Sequence, residues 1–285
     1  TPLYSSAASD VYKRQEHSPW VADRIASARP FAGVTDLFDA MAGVVRNMSL
    51  DQQRELIKVH PDLADKAQRA AGLTTDSTAE QNSAGLDRLS DAEYAAFERL
   101  NTAYRARFGF PYIVCARRHT KDSILRDFER RLPNDGVAET KRAIEEICRI
   151  AALRVDQLVS SDDRLNVHGR LSTHVLDNHD GRPAAGVAIE LVELAELGES
   201  RTIVHAMTND DGRTDAPLIG GRPLPIGRYE LRFRVGPYFA SRGVPMSEPP
   251  FLDVIPIRFA ISEPEVHYHV PLLVTPWSYS TYRGS

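Results

Sequence analysis

The sequence predicts a multidomain α and β protein, an N-terminal all-α helical bundle followed by a C-terminal all-β sandwich, and three observations carry that expectation. The chain has 285 residues, more than one small module needs and about what two domains of roughly 100 to 200 residues occupy. Apolar residues recur at helical spacing from about Ser49 to Leu158, and after the polar stretch Ser160-Ser161-Asp162-Asp163-Arg164 the period falls to two. Hydrophobic residues at 42% and charged residues at 26% are ordinary globular values, so each half can bury a core and low-complexity or disordered classes are excluded.

In the first half, Ser49 with Gln52 and Ser90 with Glu93 have the spacing of capping boxes and mark two helix starts. The second helix carries Tyr94, Phe97, Asn101, Tyr104 and Phe108 on one face and ends at Phe108-Gly109-Phe110-Pro111. Asp122 to Leu132 predicts another helix, Pro133-Asn134 a turn, and Ala138 to Leu158 a long last helix with Ile144, Ile147, Ala151 and Val155 inward. Residues 1–15 show no clear period and no initiator Met, so they are set apart and the recorded chain is expected not to begin at a natural start.

In the second half, Leu165, Val167, Leu171, Thr173 and Val175 alternate with Asn166, His168, Arg170, Ser172 and His174. Similar runs at Val187 to Val192, Thr202 to Thr208, Tyr229 to Val235, Val254 to Ile261 and His267 to Val274 complete the strands, separated by Gly, Pro and Asn-Asp turns.

A net charge of −4 gives no electrostatic footprint for nucleic acid or an anionic membrane. No apolar run reaches the roughly 18 to 20 residues of a spanning helix, and no secretory signal opens the chain. Cys115 and Cys148 are far apart, which argues against a disulfide framework or a cysteine zinc site and suits a reducing cytoplasm. The expected partners are small molecules, with neither nucleic acid nor membrane among them.

The densest chemistry of the second half is His267-Tyr268-His269, where a period of two points both imidazoles to one face. On spacing alone these are equally surface residues, and Asn209-Asp210-Asp211-Gly212-Arg213 is a hairpin turn with glycine at a positive φ. Zinc on His174, His267 and His269 is a rival reading. Taken in order, Leu171-Ser172-Thr173-His174-Val175-Leu176-Asp177, Thr208 to Arg213, His267 to Leu273 and the closing Tyr282-Arg283-Gly284-Ser285 resemble the 5-hydroxyisourate hydrolases, transthyretin-like enzymes of urate degradation. The resemblance covers 165–285 and implies a transthyretin-like sandwich with an intact C-terminus. It further implies a metal-free active site of His174, Arg213, His267, His269 and Ser285, with Tyr282 and Arg283 contacting substrate. A neutral imidazole can activate water near pH 7, and a guanidinium can stabilise developing oxyanion charge; which histidine is the base stays open. A ligand carrier on the same fold is the alternative, against which this polar cluster argues.

In the first half His60, before Pro61, is pushed to a helix end, where it can simply cap the last carbonyls. Ser77 and Glu80 have capping-box spacing. Arg154 sits in the apolar stripe of the last helix and needs an acidic partner or an anionic ligand there. The phrases Glu16-His17-Ser18-Pro19-Trp20, His60-Pro61-Asp62-Leu63-Ala64, Glu80-Gln81 with Ala84-Gly85-Leu86-Asp87, and Phe108-Gly109-Phe110-Pro111-Tyr112 resemble the decarboxylases of 2-oxo-4-hydroxy-4-carboxy-5-ureidoimidazoline (OHCU) over 16–160. That family usually has a further helix ahead of Glu16, absent from the pattern of residues 1–15. The resemblance implies His60 and Glu80 as the catalytic pair, with Ser77 and Arg154 on substrate. On physical grounds, His60 can take or return a proton if Glu80 holds its tautomer, since a nearby carboxylate favours the charged imidazole. The product would be (S)-allantoin, and no cofactor is implied.

The two resemblances are to successive steps of one pathway, which predicts a bifunctional, cytoplasmic enzyme of purine catabolism and, by analogy with both families, a homo-oligomer. A hydrolase joined to an inert helical partner is the remaining alternative.

Overall fold

The computed structural model describes residues 20–64, 75–159 and 162–284, with backbone alone at 75–77. Residues 1–15, the phrase Glu16-His17-Ser18-Pro19, Ser160-Ser161 and Ser285 lie outside the described residues, as does the Ser77 side chain. The chain divides into two compact units between Val167 and His168.

The first unit is helical: α1 (Trp20–Ile25), α2 (Val34–Arg46), α3 (Leu50–Lys58), α4 (Thr75–Ser83), α5 (Asp91–Phe108), α6 (Lys121–Arg131) and α7 (Gly136–Leu158). Both predicted capping boxes are present, Ser49 with Gln52 on α3 and Ser90 with Glu93 on α5. Gly109 closes α5 at φ 75°, a left-handed position that a side chain would oppose. Asp135 accepts from the Val137 and Ala138 amides and starts α7 two residues before the predicted Ala138. Leu37, Ile57, Phe97, Tyr104, Phe128 and Val155 are at most 1% exposed, each such apolar side chain contributing roughly 1.5 to 3 kcal/mol of burial. Leu165 and Val167, which alternation assigned to a strand, pack in this helical core instead. Two-residue alternation over so short a stretch cannot tell a strand from an extended connection.

The second unit is built from β1 (Gly169–Ser172), β2 (Val175–Asp177), β3 (Arg182–Pro183), β4 (Ala188–Leu194), β5 (Arg201–Met207), β6 (Ile219–Arg222), β7 (Gly227–Arg234), β8 (Val254–Ile261), β9 (His267–His269), β10 (Leu272–Val274) and β11 (Tyr279–Thr281), with helix α8 (Val235–Ser241) after β7. They form sheets in the orders β6-β1-β9, β11-β10-β2-β3 and β5-β4-β7-β8. Leu171, Val175, Leu191, Leu231, Ile255 and Leu272, drawn from all three sheets, share one core. The predicted single strand from His267 to Val274 is two strands, because Pro271 has no N–H to continue the ladder. Parallel pairing carries across the break through Val270 N to Ser172 O at 3.0 Å and Leu272 N to His174 O at 2.8 Å. No helix among the described residues is long and apolar enough to cross a membrane.

Candidate active sites

The site of the helical unit begins at the end of α3. His60 follows that helix, its amide still donating to Ile57 O at 3.1 Å. The ring turns back so that Nδ1 lies 3.0 Å from the Leu56 carbonyl. A carbonyl only accepts, so Nδ1 carries the proton and Nε2 of the neutral ring carries the lone pair. The ring does cap its helix, as its position before proline predicts, and it also lines a cleft.

The phrase after His60 holds that turn in place. Asp62 accepts from Arg105 Nε of α5 at 2.7 Å, and the Leu63 carbonyl accepts from Asn101 at 2.8 Å. Ala64 adopts φ 59°, a left-handed conformation costing an L-residue roughly 1 to 2 kcal/mol, and its amide donates to Gln81 of α4 at 3.3 Å.

Glu80 on α4 and Arg154 on α7 face each other as a bidentate pair, Nε to Oε1 and the terminal nitrogen to Oε2, both at 2.9 Å. Their side chains are 16% and 7% exposed, so Arg154 finds in Glu80 the acidic partner its place in the apolar stripe demands, in the strongest geometry for such a pair. Glu80 was expected to hold the His60 tautomer. The Leu56 carbonyl holds Nδ1 instead, and Glu80 is engaged by Arg154. Ser77 is the third residue of α4, so it is not the N-cap that Ser-x-x-Glu spacing suggests.

The opposite wall is the extended segment Pro111–Cys115. Arg131, itself between Asp127 at 3.3 Å and Glu139 at 2.5 Å, donates to Ile113 O at 2.8 Å. Cys115 N donates to Glu146 at 3.0 Å, and Tyr112 OH donates to Asp127 at 2.5 Å. These buried anchors fix one wall of a cleft lined by His60, Glu80, Gln81, Tyr112, Ile147 and Arg154 among others. Gln81 and Tyr112 were quoted in sequence phrases but not singled out, since an amide on a helix and an aromatic after proline carry no chemical signature.

In the second unit the site gathers where β1 gives way to β2. The His174 backbone bridges Arg213, and Gly212 at φ 70° makes this approach possible. A Cβ on Gly212 would stand 2.3 Å from Val175 O and 3.2 Å from the His174 ring. Asn209 Oδ1 accepts from the amides of Asp211 and Arg213, each at 3.1 Å, and stiffens the turn. The His174 ring donates a hydrogen bond to the Asp211 backbone, while Nε2 is buried with no hydrogen-bond partner among the described residues. An orphaned buried nitrogen is costly, and a ligand atom or water is what satisfies it.

On β9 the period of two holds: Tyr268 is 4% exposed, with His267 and His269 on the other face. Ser172 pairs in register with His269, and its Oγ lies 2.7 Å from His267 Nε2 and 2.9 Å from His269 Nδ1. Ser172 was not among the candidate residues, although strand parity with His174 was its signal. The tail closes over this group: Gly284 N donates to His269 O at 2.9 Å, and a Cβ there would meet the ring's Cδ2 at 2.8 Å. Arg283 lies 4.7 Å over the Tyr268 ring and 3.6 Å from Glu263, and Tyr282 is 58% exposed.

Burial, then the charge of Arg213, hold His174 and His269 below the usual imidazole pKa of 6.5. Burial and Arg170 do the same for His267. All three are therefore neutral acceptors at pH 7. No group of three or more His, Cys, Asp or Glu among the described residues is placed to hold a metal ion, and Ser172 occupies the position between two of the imidazoles.

A family model described as OHCU decarboxylase matches residues 5–156, starting upstream of Glu16, and one described as HIUase/Transthyretin family matches residues 171–284. The 2-oxo-4-hydroxy-4-carboxy-5-ureidoimidazoline decarboxylase of Haloferax volcanii is 40% identical over 159 residues, 56% of this chain and 90% of its own. The 5-hydroxyisourate hydrolase of Halalkalibacterium halodurans is 53% identical over 117 residues, 41% of this chain and 98% of its own. A crystal structure of (S)-allantoin synthase is 36% identical, covering 99% of this chain and 95% of that one, with a TM-score of 0.50.

Proposed function

We propose that this chain, which belongs to the OHCU decarboxylase family over its N-terminal half and to the HIUase/transthyretin family over its C-terminal half, is a bifunctional enzyme of urate degradation. Its C-terminal unit hydrolyses 5-hydroxyisourate to OHCU, and its N-terminal unit decarboxylates OHCU to (S)-allantoin. The observation that carries this reading is a likeness to (S)-allantoin synthase that spans both halves of one chain.

In the helical cleft, Arg154 docks the substrate carboxylate or the charge left on the ring as CO2 departs, with Glu80 fixing the guanidinium plane. His60 takes the ring hydroxyl's proton through Nε2 and returns a proton to carbon, its orientation fixed by the Leu56 carbonyl. Ser77 contributes to substrate binding from α4. His60→Asn should cut decarboxylation at least about a hundredfold, read as lost prompt (S)-allantoin from fresh OHCU; full turnover would remove His60 from the mechanism.

In the strand site, one of His174, His267 and His269 takes a proton from water, and Arg213 holds the carbonyl oxygen as it becomes anionic. Ser285 is carried into this site by the family resemblance alone, next in the chain to Gly284, whose amide donates to His269 O. Tyr282 reaches substrate from the same tail, while Arg283, held by Tyr268 and Glu263, keeps that tail in place. No cofactor enters either step. A carrier pocket for an aromatic ligand would want apolar walls, and three imidazoles with a guanidinium are the opposite.

Exposed Trp277 at 57%, Tyr279 at 46% and Tyr282 at 58%, clustered around the terminal strand, support a homo-oligomer assembled through the second unit. A cytoplasmic site suits two free buried cysteines. The deciding experiment follows freshly made 5-hydroxyisourate by absorbance and circular dichroism together. Rapid loss with prompt (S)-allantoin supports both activities, rapid loss followed by slow racemic product leaves an inert helical partner, and no acceleration rejects the reading.

A further inference from the structure

We infer that Ser172 is a proton-relaying positioning residue of the hydrolase site, its hydroxyl joining His269 to His267 and carrying the proton taken from water out to solvent. The inference rests on the hydrolase reading and adds to it a residue, a direction of proton flow and an assignment of the base.

The geometry is that of a short chain. A serine hydroxyl has one hydrogen, so if it donates to one ring nitrogen it accepts from the other. The contact to His267 Nε2 is 2.7 Å and that to His269 Nδ1 is 2.9 Å. The shorter distance suits an O–H donor and the longer an N–H donor. His269 Nδ1–H therefore donates to Ser172 Oγ, and Ser172 Oγ–H donates to His267 Nε2. This assigns His267 its remaining proton at Nδ1 and leaves the lone pair of His269 on Nε2. The backbone holds the chain rigid, since Ser172 and His269 are register partners in parallel β1 and β9 and Ser172 O accepts from Val270 N at 3.0 Å. Ser172 is 7% exposed, which keeps water from replacing it in the chain, while His267 at the far end is exposed to solvent.

The step balances without another reactant. Water's oxygen bonds to the ring amide carbon as its proton passes to His269 Nε2. The Nδ1 proton of His269 moves to Ser172 Oγ, the serine's own proton moves to His267 Nε2, and the Nδ1 proton of His267 leaves to solvent. When the C–N bond breaks, His269 Nε2–H protonates the leaving nitrogen and the chain resets by the reverse path. The neutral rings this requires are favoured first by burial and then by nearby groups: Arg213, His267, His174 and Arg170 act on His269, and Arg170 acts on His267. Nothing else in the fold asks for a hydroxyl at this place, because Ser172 Oγ makes no other hydrogen bond among the described residues.

The test uses the full chain with Ser172→Ala and Ser172→Thr, measuring 5-hydroxyisourate hydrolysis from pH 5 to 9 in H2O and D2O, with nitrogen-15 NMR of the histidine tautomers. Ser172→Ala should lower kcat about tenfold or more with KM changed less than twofold, and should alter the solvent isotope effect. Ser172→Thr should restore kcat to within threefold. The NMR spectra should show His269 and His267 both as Nδ1–H tautomers in the parent chain and mixed tautomers in Ser172→Ala. Parent-like kcat and isotope effect in Ser172→Ala overturn the relay, and so does any other tautomer pair in the parent. If the parent chain does not hydrolyse 5-hydroxyisourate at all, the hydrolase reading fails, and the tautomers still decide whether the hydroxyl couples the two rings. Near-ultraviolet circular dichroism shows whether each variant is folded; if Ser172→Ala is not, the Thr variant's kcat and the parent tautomers decide.

Discussion

The two candidate sites solve opposite electrostatic problems. The helical cleft is organised around one guanidinium, Arg154, held by two 2.9 Å bonds to Glu80. The strand site carries its proton-transfer chemistry on three imidazoles that burial and neighbouring cations keep neutral, with no carboxylate among the described residues hydrogen-bonded to His267 or His269. A reaction that expels CO2 needs a fixed donor for developing negative charge, whereas water attack on an amide needs an acceptor able to take and return a proton. The division of residue types follows from that difference.

The comparison is broken most sharply at Arg154. Arg154→Leu removes the fixed donor and strands Glu80 at 16% exposure beside an apolar wall. Decarboxylation should fall at least about a hundredfold, as for loss of one oxyanion-stabilising donor. The helical unit should also lose about 3 kcal/mol, the usual result of leaving one member of a buried pair alone. Hydrolysis of 5-hydroxyisourate should continue. The measured signature is rapid consumption of substrate with slow, racemic allantoin, and prompt (S)-allantoin from this variant would show that the fixed charge is not what the cleft uses.

How much of this was legible beforehand differed between the halves for a physical reason. Capping boxes at Ser49 and Ser90 are local, so α3 and α5 could be placed to a residue. Parity along a strand is local too, and it put His267 and His269 on one face and Ser172 with His174 on another. What parity could not give was the parallel register of β1 with β9, which brings Ser172 between the two imidazoles from ninety-five and ninety-seven residues away. In the helical unit, the apolar stripe told that Arg154 needs a partner, but its choice of Glu80, seventy-four residues earlier, is tertiary. The break at Pro271 was readable from proline's missing N–H, and the transfer of Leu165 and Val167 to the helical core was not, because extended connections alternate as strands do.

A smaller effect is expected at the tail. Gly284→Ala would place a Cβ 2.8 Å from His269 Cδ2, a separation real side chains do not adopt, so the ring or the tail must shift. A displacement of a few tenths of an ångström in the proposed base should lower hydrolysis about tenfold, since misplacing a reacting group by 1 Å can cost about a hundredfold. Decarboxylation of supplied OHCU should be unchanged. If hydrolysis is also unchanged, the tail does not define the site, and Ser285 loses its place there.

The finest distinction between the sites is their response to acid. For a histidine whose folded pKa is depressed, the unfolded chain binds protons first as pH falls through 6.5, so stability and the neutral acceptor form are both complete above that value and are lost below it. Since burial and Arg213 or Arg170 depress all three imidazoles, the acid limb of hydrolysis should lie below pH 6.5. Replacing Arg213 by Gln would remove a lowering influence on His174 and His269 and move that limb upward, whatever it does to the rate itself. The helical unit has its own acid sensitivity in His119, which burial lowers to about 4, so its stability should decline between pH 6.5 and about 4 without a matching kinetic limb, because His119 lies outside the cleft. The two behaviours separate in one titration of the full chain: hydrolysis rates should fall at a pH where the helical unit's circular dichroism still holds. A hydrolysis limb coinciding with unfolding would mean the imidazoles are not read out by catalysis at all.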